Sequence, residues 1–94
     1  MVYRKRVVLS CPQGYLSSLD MMVEDFLRDG VDLVAVAGKD RAKVEDIIDE
    51  LIVGDGSDPS RFINTTSHDS LEDALEFAGS WPTDALSEVQ LVEL

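Results

Sequence analysis

One thiol and one imidazole, Cys11 and His68, are the side chains in this sequence best suited to act as nucleophile and base near neutral pH. Cys11 ends the run Arg6-Val7-Val8-Leu9-Ser10-Cys11 and precedes Pro12-Gln13-Gly14. A thiol at a strand end that faces a helix N-terminus has its thiolate stabilised by the helix's unpaired amides. His68, with Asp69 behind it, would then serve as the base. Each residue also has a plainer reading, which we adopt: a free cysteine is often a small apolar residue, and Ser67-His68-Asp69-Ser70 is the polar string that opens many helices. No catalytic residue is therefore assigned, with Cys11 and His68 standing as candidates and the balance leaning away from an enzyme.

Gly14, Ser17, Ser18, Lys39, Arg41 and Ser67 form a second set, able to offer amides, hydroxyls and two cations to a small anion or nucleotide. No metal or other cofactor is expected. One cysteine and one histidine give no zinc-ligand spacing. Gly54-Asp55-Gly56-Ser57-Asp58 alternates carboxylates with glycine as calcium loops do, but Thr66 stands where the bidentate Glu belongs. Trp81, just before Pro82, is read as a plug at the end of the core.

The elements that must position these residues follow from periodicity. Arg6 to Cys11 is a short apolar strand closed by Pro12 and Gly14. Leu16, Leu19, Met22, Val23, Phe26 and Leu27 recur at helical spacing, with Ser17 and Asp20 as a capping box and Gly30 as the left-handed stop. Val31 to Ala37 is almost continuously apolar, the mark of a strand buried on both faces, and Gly38 ends it. Asp40 caps a helix whose inner face is Val44, Ile47, Ile48, Leu51 and Ile52; Gly54-Asp55-Gly56-Ser57-Asp58-Pro59 breaks the chain after it. Arg61 to Thr66 has strand propensity, and Leu71, Ala74, Leu75 and Ala78 mark a third helix, ended by Gly79-Ser80-Trp81-Pro82-Thr83-Asp84. Glu88 to Leu94 alternates polar and apolar, as an edge strand does; its direction, parallel or antiparallel, is left open.

This β-α-β-α-β-α-β sequence predicts one α/β domain over residues 1–94, a flavodoxin-like or Rossmann-like three-layer sandwich with a mainly parallel four-stranded sheet in the order 2-1-3-4. In that order the ligand crevice lies between the first and third strands, where Cys11 and His68 would be neighbours.

Nineteen acidic residues against eight basic ones give a formal net charge of -11. Such a field repels nucleic acid and anionic membranes and favours a basic protein partner. Arg4, Lys5 and Arg6 are clustered where the first strand begins, and the apolar run after them is too short for a signal peptide; a cytoplasmic protein that needs no disulfide is expected. The alternating last strand could pair with another copy, but Asp84, Glu88 and Glu93 beside it oppose close approach, so a monomer or weak dimer is expected.

Two resemblances attach to these motifs. Cys11-x-x-Gly14-x-x-Ser17-Ser18 resembles the phosphocysteine loop of sugar-phosphotransferase IIB domains, which implies a phosphoryl carrier on Cys11; Pro12, which lacks an amide, and the absence of that family's last helix depart from the pattern. Low-molecular-weight tyrosine phosphatases also place Cys here, but their Cys-x5-Arg loop would need arginine where this chain has Ser17. Val8-Leu9-Ser10-Cys11-Pro12-Gln13-Gly14-Tyr15 and Val53-Gly54-Asp55-Gly56-Ser57-Asp58 resemble a family of short bacterial proteins of unknown function, which implies no activity. The expectation is a non-catalytic binding or regulatory module for a protein partner. The alternatives are a small Cys11-dependent enzyme or phosphoryl carrier, and a passive binder of small anions or nucleotides.

Overall fold

The two most apolar strands form the centre of the sheet. In the computed structural model, which describes residues 3–54, 56, 62–81 and 89–94, β1 (Arg6–Cys11) and β2 (Leu33–Gly38) run parallel side by side. β3 (Asn64–His68) flanks β2, β4 (Val89–Glu93) flanks β1, and every pair is parallel. Helices α1 (Ser18–Asp29), α2 (Arg41–Val53) and α3 (Leu71–Ser80) alternate with the strands.

The α/β class and the parallel four-stranded sheet are as the periodicity predicts, but the strand order is 3-2-1-4 and not 2-1-3-4. The physical reason is burial. Leu33 to Ala37 are all buried, which requires a neighbour on each flank of β2 as well as cover on both faces. In β3, Asn-Thr-Thr-Ser-His, no residue is buried, as suits an edge. The order found is that of the first four strands in dinucleotide-binding doubly wound sheets, whereas the flavodoxin order begins 2-1-3. The edge position of β4 agrees with its alternation; it is parallel, and its neighbour is β1, not β3.

Right-handed crossovers then fix the layers. The steps β1 to β2 to β3 run one way across the sheet and place α1 and α2 on one face, while the return to β4 places α3 on the other. On the first face Val7, Leu9, Cys11, Val34 and Val36 pack with Leu19, Val23 and Phe26 of α1 and Val44, Ile48 and Ile52 of α2. On the second, Val8, Leu33, Ala35 and Ala37 meet Ala74 and Ala78 of α3, small residues that let the helix lie close. Among the described residues no helix is long and apolar enough to cross a membrane.

Local chemistry ends the helices. Gly30 closes α1 in the left-handed conformation at φ 76°, with its N–H on the Leu27 carbonyl and that of Val31 on the Phe26 carbonyl. Arg6 donates to the Ala78 and Gly79 carbonyls at 3.2 and 3.3 Å, placing a cation at the negative end of α3. The Tyr3 amide donates to Asp29, which together with Arg28 holds that carboxyl below the usual carboxylate range.

Two expected caps are corrected. Ser17 is itself helical and its side chain caps nothing, because a turn from Leu16 already leads into the helix. Asp40 sits in the left-handed region at φ 54° with no side-chain cap bond. The third start behaves as expected: Ser70 accepts from the Asp73 amide at 3.1 Å. β3 begins three residues later than its propensity suggested, at Asn64. The expected loop at 55 and 57–59, the start of β3 at 61, the break at 82–84 and the start of β4 at 88 lie outside the described residues.

Candidate functional site

With the order corrected, the direction in which successive strands are added reverses between β1 and β4, so the crevice expected between the first and third strands is displaced to the β1–β4 side. This splits the candidate residues into two groups.

Cys11 points into the core beneath α1 and α2 and is 0% exposed. Its Sγ lies 3.3 Å from the Ala37 carbonyl and 3.6 Å from that of Lys39. Its own carbonyl accepts from Gly14 at 3.1 Å and from Lys39 at 3.0 Å, tying the ends of β1 and β2 together. Gly38 makes this approach feasible: at φ 127° a Cβ there would stand 2.6 Å from the Cys11 carbonyl oxygen. Burial, and then the negative charge of Asp40, push the thiol pKa up. A carrier or nucleophilic cysteine needs the opposite environment.

In the loop after Cys11 the amide of Gly14 is turned back to the strand end. Pro12 has no amide, and the amides of Gly14, Leu19 and Asp20 bond to the carbonyls of Cys11, Leu16 and Ser17. Tyr15 donates its hydroxyl to Asp20 at 2.9 Å across the start of α1, which raises the phenol pKa. Ser17 and Ser18 are exposed beside this contact.

His68 pairs with Ala37 and lies on the α3 side of the sheet, the face opposite Cys11. With β2 between their strands, the two are separated by two strand spacings, about 10 Å. The expected neighbouring nucleophile and base are therefore not brought together. Asp69 does not stand behind the imidazole either. His68 Nδ1 meets Asp73 at 2.9 Å, Nε2 meets the Thr66 hydroxyl at 2.8 Å, and the ring rests on Phe77 with centroids 4.9 Å apart. Both ring nitrogens are engaged: Nδ1 fastens β3 to the first turn of α3, and Nε2 is held by Thr66 of the same strand. Asp73 is the partner that reading along the chain missed, and the Ser70-x-x-Asp73 cap that sets it in that turn is the signal that could have found it.

Arg41 and Ser67 do come together. With Asp40, Ala42, Lys43 and Asp69 they line an open hollow of about 550 Å³ where β3 ends and α2 begins. Arg41 donates to Asp69 at 2.6 Å, and the remaining Asp40 and Lys43 offset each other, so the hollow carries no net positive charge for an anion. Gly14 is adjacent to it, since a Cβ there would lie 3.2 Å from an Asp40 carboxylate oxygen, and Lys39 is exposed in the same β2–α2 loop. Among the described residues no three His, Cys, Asp or Glu side chains cluster as metal ligands.

Fold and site together define an α/β domain with a 3-2-1-4 parallel sheet, a buried thiol and a polar carboxyl edge. Within that class, the model of the family described as Domain of unknown function (DUF7684) matches residues 8–93, and the chain belongs to this family. No curated protein and no solved structure matches the chain.

Proposed function

We propose that this domain is a non-catalytic binding or regulatory module whose partner is a basic protein, engaged on the outer surface of α1 and α2. The observation that carries the reading is where the charge sits. Asp20, Glu24 and Asp25 on α1 and Glu45, Asp46, Asp49 and Glu50 on α2 share one side of the sheet, while the Asp29 carboxylate is turned inward to the Tyr3 amide and Arg28. Cations on the same layer are few and two are engaged: Arg28 with Asp25 and Asp29 at 3.1 and 3.3 Å, and Arg41 with Asp69. A surface of this kind attracts a cationic partner at long range and adds to its association rate. Burial of Cys11 and the balanced hollow lend no comparable support to a Cys11 enzyme, a phosphoryl carrier or an anion binder.

Charge reversal tests the surface. Binding of a fluorescent Lys/Arg-rich peptide is measured with Asp46→Lys/Glu50→Lys and with Glu72→Lys/Glu76→Lys, pairs that change net charge equally on opposite faces of the sheet. The first is expected to weaken binding about tenfold, a loss of about 1.4 kcal/mol, and the second by less than about threefold. Equal losses would mean that the peptide responds to net charge alone and would remove the assigned surface.

A further inference from the structure

We infer that β4 is a pairing edge for a second copy of this chain, the two β4 strands running antiparallel about a two-fold axis at Leu91. The sheet has two edges of contrasting character. β3 is Asn-Thr-Thr-Ser-His, polar throughout, and both its hydroxyl-rich faces bond to helices through Thr65 to Asp49 of α2 and through His68 to Asp73 of α3. β4 is Val-Gln-Leu-Val-Glu, with Leu91 54% exposed on the α3 side beside Val8. Among the described residues no strand pairs with its outer edge.

The ladder with β1 selects the register. Leu94 donates to the Ser10 carbonyl at 2.8 Å, so the N–H and C=O groups of Gln90 and Val92 also point to β1, and those of Val89, Leu91 and Glu93 point outward. An antiparallel partner centred on Leu91 sets Leu91 opposite Leu91 and Val89 opposite Glu93, and all the outward groups of both strands then find partners. A one-residue slip would set groups pointing outward against groups pointing inward.

Charge fits the same register: Val89 has Arg6 as its in-sheet neighbour, so each Glu93, opposite Val89 of the other copy, lies two strand spacings, about 10 Å, from that copy's Arg6 position and in its favourable field. The net charge of -11 per chain opposes association at long range, so the dimer is weak and strengthens as salt screens that repulsion.

Sedimentation equilibrium of the full chain, from about 10 μM to about 1 mM, is expected to show a monomer–dimer equilibrium with a dissociation constant near 100 μM, an order-of-magnitude figure for a small interface. Leu91→Lys, at an exposed position, should keep the circular dichroism of the native fold and remain monomeric. Leu91→Cys in a Cys11→Ser background should give a disulfide-linked dimer with oxidised glutathione, since directly opposed Cα atoms about 5.5 Å apart fall within disulfide reach. A chain that stays monomeric throughout, or a Leu91→Lys protein that dimerises as the parent does, would overturn the inference.

Discussion

At Cys11 two effects act in one direction. Removal of the thiol from water disfavours its anion, and the nearby Asp40 carboxylate adds to the penalty, so the pKa rises above that of a free thiol. Because the thiolate is the species that alkylates, iodoacetamide should react slowly with the native protein between pH 7 and 8, with a midpoint above the ordinary value of about 8.5. Cys11→Ser should fold and lose about 1 kcal/mol in denaturant titrations, since the hydroxyl keeps the Ala37 acceptor but leaves apolar contacts. A fast reaction with a lowered midpoint would restore the nucleophile. The position of Cys11 at a strand end was legible in the sequence, but its side of the sheet was not. A strand with both faces buried has no polar alternation to mark which side each residue takes. His68 shows the converse: Asp69, its neighbour in sequence, is 93% exposed in its side chain and turns to Arg41, while the partner in space is five residues away.

Among the elements, β1 occupies the residues its apolar run predicted, and Gly30 ends α1 as expected, because both rest on local chemistry. The errors arise where neighbours decide. β3 is displaced toward Ser67 and His68, polar residues that an edge strand tolerates and that resemble a helix start when read without the sheet. Gly38 was read only as a strand stop, yet the close approach of the two central strands depends on it. Gly38→Ala would bring a methyl group into the Cys11 carbonyl at a φ that L residues rarely adopt. It should therefore cost more than about 1 kcal/mol, beyond the usual Gly/Ala difference. Thermal denaturation of Gly38→Ala beside Gly79→Ala, where nothing stands within 4 Å of the added Cβ, checks this. Equal melting temperatures would show that the strand ends relax freely.

For the whole molecule, the α/β class, three helices and one parallel sheet were legible, because crossovers of helical length allow little else. Strand order does not follow from periodicity, although the sequence carries a signal for it: β2 is the most apolar strand and β3 the most polar, and that ranking places one inside and the other at an edge. The misplacement moved the expected crevice and joined two residues that lie on opposite faces. Composition survives such errors, since the charge of -11 does not depend on topology. Recruitment of a basic partner by this charge, as proposed for α1 and α2, is tested by the affinity of the native domain for a Lys/Arg-rich peptide as ionic strength rises from about 0.05 to about 0.5 M, a range in which the screening length falls through about 10 Å near 0.1 M. Affinity is predicted to fall at least about tenfold across it, mostly through slower association. An affinity that does not change with salt would rule out recruitment by charge and point to an apolar interface instead.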